Sequence, residues 1–418
     1  MNQVLAVGYD RGSAGPTELA AAGRACGADV LLVVDSASDH VAQMLPVLRR
    51  RFDVVEITGL STVDAVAAVA EHRVDGVVTF SDLCLPITAA IGERLGFTRW
   101  HSPAVTSVLL DKAAQRRAWA AAGLDPTRHA VVAAESDVEA ALASVGLPAV
   151  LKPRGGTAGQ HVSRVDNLDG ARTAARRFFA DAAPGAAMVA EELLVGDPEV
   201  AGQAFGDYVS VEAAVHDGRC LPLGVVGKLP LVPPFRERGF FLPATLDAAT
   251  AARVLAVADA AVRAIGVRDG IVHTELKLTS AGPRVLEVNG RAGGHVPDLF
   301  ERALGFSVVE AAFRLALGEE PALPDRSCVD VTYQYVFLPP RDAETVVSAD
   351  GLAELRAIDG VDLVDVRVAP GRRVDWRDGA FGRLGKAYGR APDHAALACL
   401  AARIEDTFRP TFTHAHSG

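Results

Sequence analysis

A chain of 418 residues, half of them hydrophobic, exceeds the size at which one hydrophobic core stops growing, so two to four globular domains are expected. A formal net charge of -10 excludes nonspecific nucleic-acid binding through a basic face and argues against an anionic membrane surface, which leaves small molecules as partners. The opening MNQVLAVGYDRG lacks a leader pattern, no apolar run approaches the roughly 18 residues of a bilayer span, and five scattered cysteines (Cys26, Cys84, Cys220, Cys328, Cys399) show no ligand spacing; they read as buried thiols of a cytoplasmic protein.

The first hundred residues alternate short β-branched runs (QVLAVGY, DVLLVVD, FDVVEIT, VDGVVTF) with Ala-rich helical stretches (TELAAAGRACG, VAQMLPVLRRR, VDAVAAVAEHR, LPITAAIGERLG). That alternation predicts βαβ units around a parallel, Rossmann-like sheet over residues 1–103. The segment VGYDRGSAGP does not fit GxGxxG, so it is read as a scaffold offering strand ends to a substrate, without a dinucleotide site. DKAAQRRAWAAAGL predicts a helix starting near Asp111 and stopping at Gly123. A strand (HAVVAA), a helix (SDVEAALASVG), the strand PAVLKP with a glycine-rich turn, a basic helix (LDGARTAARRFFADA) and the strand AAMVAEELLVG complete a second unit over 104–190. DYVSVEAAVHDGRCLPLGVVGKLPL alternates with period two and turns at HDGR, which predicts an antiparallel hairpin. It opens a third unit, 191–322, which closes on HTELKLTSAGPRVLEVNGRAGGH and the helix VPDLFERALG. Residues 323–418 read as strands ending in one amphipathic helix, an α+β subdomain packed over the site with no catalytic residue assigned to it.

Two constellations carry chemistry. In VLKPRGGTAGQHV an apolar strand delivers Lys152, and Gly155, Gly156 and Gly159 let the following backbone take positive φ and approach an anion. In the second, strands VHTELKLTS and PRVLEVNGR meet at the turn SAGP, so Glu275 and Glu287 face one another; alternation gives Glu287 the side of Val285 and Asn289. Two close carboxylates repel unless a cation lies between them, and Glu, Glu and an Asn carbonyl are hard oxygen ligands suited to Mg²⁺. His273 is read as sheet packing, and Arg172, Arg176 and Arg177 as a solvated helix face.

With these residues in hand the chain resembles the ATP-grasp carboxylate-amine ligases, and among them the L-amino-acid ligases that join amino acids into dipeptides. The resemblance runs from DGVVTFSD through VLKPRGGTAG, AEELLVGD and YVSVEAAVHDG to PRVLEVNGRAGG. It implies an ATP-grasp fold in which 104–190 is the small lobe with its lid, 191–322 the large lobe with the metal site, and 1–103 the Rossmann-like domain before them. Lys112 and Lys152 then reach the ATP phosphates with the lid residues Gly155, Gly156, Thr157 and Gly159. The backbone around Glu192 and Leu194 reads the adenine, with Glu191 beside it, and Glu199 or Glu212 takes the ribose. Glu275, Glu287 and Asn289 hold two Mg²⁺ ions, and Arg291 holds the acyl phosphate or a substrate carboxylate. Lys228 faces substrate, as do Arg236 and Glu237 on the loop after it. His295 either orients the incoming substrate or caps the following helix. The implied activity is amide formation between two amino acids or amino-acid-like substrates through an acyl phosphate, with ADP and phosphate as products. A purine-pathway or other small carboxylate as substrate, and ATP binding without turnover, remain alternatives. Relatives of this kind are often dimers, so a homodimer is expected.

Overall fold

The structure is a computed structural model that describes residues 2–156 and 159–414. The N-terminal sheet has the order Asp53–Glu56, Ala28–Val34, Gln3–Tyr9, Gly76–Thr79, with every neighbouring pair parallel, as the alternating pattern predicts. Its central strands are buried on both faces, because helices cover each side of a parallel sheet. The second sheet is antiparallel: His129–Val132, Met188–Glu192, Ala149–Pro153 and Ser163–Val165. Helices Val138–Val145 and Leu168–Asp181 close its core around Leu142, Leu151, Phe178 and Met188.

The third sheet has eight antiparallel strands, in the order Gly282–Asn289, Gly270–Thr279, Tyr208–His216, Arg219–Lys228, Gly239–Leu242, Val331–Phe337, Gly385–Ala391 and Val361–Val366. The hairpin at HDGR forms with positive φ at both Asp217 (50°) and Gly218 (77°), the backbone that matches strand twist. Three strands beyond residue 330 therefore extend the sheet that carries Glu275 and Glu287, while Ala343–Asp350 and Arg409–His414 pair separately. Period-two alternation sorts the two faces. Val209, Val211, Phe241, Leu276 and Tyr333 pack toward helices Ala248–Ile265 and His394–Thr407. Ala214, Val226, Phe240 and Leu242 share one core with the N-terminal sheet and helices Val296–Leu304 and Val308–Ala316. This second face bears the functional side chains.

The cysteine expectation needs correction. All five are free thiols, but only Cys84 is buried; Cys399 is exposed and the other three are intermediate. Among the described residues no helix is long and apolar enough to cross a membrane.

Candidate active site

Glu275 and Glu287 are direct register partners on neighbouring antiparallel strands, and His273 pairs with Asn289 one step along. Register partners in an antiparallel pair share a face, so the two carboxylates and the asparagine converge. The expectation for Val285 fails here. The register shifts after Glu275, so Leu276 pairs with Val285 and Leu286 is the extra residue of a β-bulge. A bulge reverses the alternation beyond it, which sends Val285 into the core beside Val262 and Val288, away from Glu287.

The bulged strand is the edge of its sheet, and helix Lys112–Ala121 supplies what that edge lacks. Asp111 caps the helix by accepting from the Ala113 and Ala114 N–H groups. Gln115 Nε2 donates to Val288 O (2.9 Å) while its Oε1 accepts from Val288 N (2.9 Å). Arg116 Nη1 donates to Val285 O (2.7 Å) and its Nη2 reaches Leu286 O (3.4 Å), so both carbonyls at the bulge are satisfied. The same helix places Lys112 Nζ 3.0 Å from Glu287 Oε1 and 3.0 Å from Gly156 O. Burial opposes the charge on Lys112, but the Glu287 carboxylate outweighs it and raises the ammonium pKa.

Lys152 projects from strand Ala149–Pro153 onto Glu191 Oε2 (2.9 Å), which also accepts from Arg116 Nη2 (2.8 Å). Burial alone would raise the Glu191 carboxyl, yet Arg116 and Lys152 hold it down to about 2. Burial beside Arg116 lowers Lys152. Glu191 Oε1 is buried without a partner among the described residues, which leaves one acceptor for a ligand at the strand end. Gly156 (φ 116°) and Gly159 (φ 68°) take the positive φ expected of the lid, and Arg154 Nε ties its start to Asp111 (2.8 Å). Thr157 lies outside the described residues.

His273 is more than sheet packing. Its Nδ1 meets Glu212 Oε1 at 2.6 Å and its Nε2 meets Glu275 Oε1 at 3.2 Å. Burial would lower the imidazole, but the two carboxylates raise it to about 9, and His273 in turn holds Glu275 down to about 2 against the effect of burial. A side chain at Gly293 would bring its Cβ within 2.7 Å of His273 Nδ1, so this position must be glycine for the loop to close over the pair.

Several expectations are corrected by these contacts. Glu212 is fully buried and spends one oxygen on His273, so it supports the carboxylate row. Glu199 is exposed on the short helix Pro198–Ala201, where it accepts from Gln203 Nε2 (2.6 Å). Glu192 pairs with Arg128 (2.8 Å), and its N–H donates to Arg128 O, so its own amide is committed to the sheet. Leu194 follows in the coil after that strand. Arg236 is buried and donates to Pro339 O (2.6 Å), which anchors its loop. Arg172 and Arg176 form surface pairs with Glu139 and Glu135, as expected of a solvated face.

Arg291 Nη2 meets Asp82 Oδ2 at 2.5 Å, a contact from the strand ends of the N-terminal sheet that the sequence reading did not find. Lys228 is buried with Nζ 3.1 Å from Glu237 Oε1 and 4.6 Å from the Phe240 ring centroid. His295 stacks on Phe240 at 3.7 Å between centroids, and burial beside Lys228 and His273 pushes its pKa well below the usual histidine value. It occupies the cap position of helix Val296–Leu304, but its side chain makes no capping bond. Among the described residues, Ser210 Oγ, Glu212 Oε2 and His295 Nε2 are buried without partners, an unusual concentration of unmet polar atoms on one sheet face.

The donor set fits a divalent metal. Two register-paired carboxylates and an amide carbonyl supply hard oxygens, and among the described residues no group of three or more His, Cys, Asp or Glu is arranged to hold a metal. Such a partial shell suits Mg²⁺, which completes its octahedron with water and phosphate oxygens.

The ATP-grasp domain family matches residues 145–297, and the ATP-grasp N-terminal domain family matches 20–97. The chain is 26% identical over 321 residues to alanine–anticapsin ligase of Bacillus subtilis, covering 72% of this chain and 67% of that protein. It is 26% identical over 380 residues to carnosine synthase 1 of Mus musculus, covering 82% of this chain and 44% of that protein. The crystal structure of an L-amino acid ligase from Bacillus licheniformis superposes with a TM-score of 0.79 over 99% of both chains at 20% identity, a likeness of fold. The chain spans 60%, 44% and 32% of the length of three of the curated relatives it matches. With both domain families in sequence on a fold of this kind, the chain belongs to the ATP-grasp family.

Proposed function

We propose that this protein is an ATP-dependent ligase that activates a carboxylate as an acyl phosphate and joins it to an amine, with amino acids or amino-acid-like molecules on both sides. The observation that carries the reading is the register-paired Glu275 and Glu287, with Lys112 bound to one and His273 to the other. Pure nucleotide binding does not require two opposed carboxylates; phosphoryl transfer does, because they hold the cations that neutralise charge where it accumulates. Similarity to alanine–anticapsin ligase and carnosine synthase favours amino-acid substrates over a purine-pathway carboxylate.

Glu275, Glu287 and Asn289 would hold Mg²⁺, which when bound draws charge from the phosphoryl oxygens. Lys112 and Lys152 add two ammonium groups in the same cleft, each already positioned by a carboxylate. Glu191 Oε1, buried without a partner among the described residues, would accept from the nucleotide base. Arg291, oriented by Asp82, is the cation for the oxyanion formed when the amine attacks the acyl carbon. The glycine-rich lid, tied to Lys112 through Gly156 O, excludes water during the lifetime of the activated acyl group.

ADP release with Mg-ATP, measured against amino acids singly and in pairs, tests the reading. Release that requires a pair supports it; release with one acid plus ammonia or bicarbonate, or no release at all, refutes it. Asp82→Asn should lower kcat/KM about ten- to hundredfold with little change in ATP affinity, since a charge-assisted bond that orients Arg291 is worth roughly 1.5–3 kcal/mol. An unchanged kcat/KM would remove Asp82 from the mechanism.

A further inference from the structure

Only five of the 42 Lys and Arg residues are lysines: Lys112, Lys152, Lys228, Lys277 and Lys386. Four of them hold a carboxylate within 3.1 Å, namely Glu287, Glu191, Glu237 and Asp207. Lys386 is half-buried, and among the described residues it has no carboxylate within ion-pair distance. Its Nζ donates instead to a neutral acceptor, Gln334 Oε1, at 3.0 Å.

That acceptor is fixed. Gln334 is fully buried, and its Nε2 donates to Asp298 Oδ2 (2.8 Å) and His295 O (3.1 Å), so the amide oxygen must turn toward Lys386. Asp298 is itself held by Arg302 Nε at 2.9 Å. Lys228, Phe240, Gln334 and Tyr388 form one register row across four strands, and Lys386 lies two residues from Tyr388, hence on the same face. This is the face that carries Glu275, and His295 stacks on Phe240 between the two lysines. Burial and then Arg383 push the Lys386 ammonium down to about 8 against the opposing pull of Asp298, Glu237 and Asp365, none of them within ion-pair distance; Asp365, the register partner of Lys386, is held by Arg367 at 2.9 Å.

We propose that Lys386, positioned by Gln334, binds a second anionic group on one of the substrates, a carboxylate or phosphate at the end remote from the reacting carboxyl. The strands of Lys228 and Lys386 are three spacings apart, about 14 Å, and Lys386 lies on the side of Lys228 away from the strands of Glu275 and Glu287. The preferred substrate is then an amino acid, or similar acid, with an acidic side chain. This rests on the ligase reading for the nature of the molecule, but the charge of the subsite is tested independently.

The test is thermal stabilisation of the protein in a saturating nonhydrolysable Mg-ATP analogue by L-glutamate, O-phospho-L-serine, L-glutamine or L-serine. At least one acid should raise Tm where its neutral counterpart does not, with glutamate marking a carboxylate subsite and phosphoserine a phosphate subsite. Lys386→Met should weaken the acid's apparent affinity at least tenfold and Lys386→Arg should retain it, both keeping the stabilisation by the nucleotide analogue. Should Lys386→Met not fold, the preference of the wild-type protein for acid over neutral counterpart still decides. Equal stabilisation by acid and neutral probes, none by either acid, or an acid response surviving in Lys386→Met overturns the subsite. A Lys386-dependent acid response without ADP release from any pair of amino acids would uphold it while refuting the ligase reading.

Discussion

Glu287→Gln should reduce ADP release about a thousandfold while leaving the protein folded. The substitution keeps the shape and one acceptor oxygen but removes the charge opposite Glu275 and beside Lys112. Charge stabilisation by a bound divalent ion is worth several kcal/mol in the transition state, and about 4 kcal/mol corresponds to three orders of magnitude. Stability should change little, because Lys112 keeps its bond to Gly156 O and Glu287 is partly solvated. Tm and steady-state ADP release on the same preparation check both halves. Turnover within about tenfold of the parent, or a variant that fails to fold, would show that Glu287 serves structure and not chemistry.

The second large effect is on stability. Glu191→Gln should cost about 3–5 kcal/mol, since it removes the counter-charge that Arg116 and Lys152 share in a buried cleft and leaves Arg116 only its longer 3.8 Å pair with Asp125. Denaturant unfolding at neutral pH measures the loss. The sign of the pH dependence follows from the carboxyl being held at about 2, below the ordinary value of 4.5. A depressed pKa contributes stability above the unfolded value and loses it as pH falls through the folded one, so this contribution should fade between about pH 4.5 and 2. The stability difference between parent and Glu191→Gln should shrink across that window and be largest above it. A difference independent of pH would mean that the Glu191 carboxylate is not what holds Arg116 and Lys152.

Alternation was enough to read the N-terminal parallel sheet, the hairpin at Asp217–Gly218 and the opposition of Glu275 to Glu287, because each is set by local periodicity or turn chemistry. The bulge at Leu286 was not legible, since both registers bury an equally apolar residue and only the tertiary contact of Arg116 with the two exposed carbonyls selects one. Arg116 itself looked like one more basic residue of a polar helix; its burial depends on strands about 75 and 170 residues further along the chain. A signal was available for His273, which stands at i−2 from Glu275 and therefore on its face, but nothing local announces that Glu212 lies on its other side. Asp82 and Arg291 are 209 positions apart and meet only because a strand end of the first sheet abuts the loop after Asn289. The C-terminal strands were recognised as strands, yet their place in the large sheet, which puts Gln334 and Lys386 on the functional face, is a matter of long-range pairing.

The metal site is the centre of this account, and Mn²⁺ binding followed by electron paramagnetic resonance, with a nonhydrolysable ATP analogue present, tests it most directly. Glu275→Gln and Glu287→Gln should each weaken Mn²⁺ at least tenfold without unfolding the protein, because each removes an anionic oxygen donor from a shell to which the described residues contribute few. Mn²⁺ affinity equal to that of the parent in both variants would contradict it.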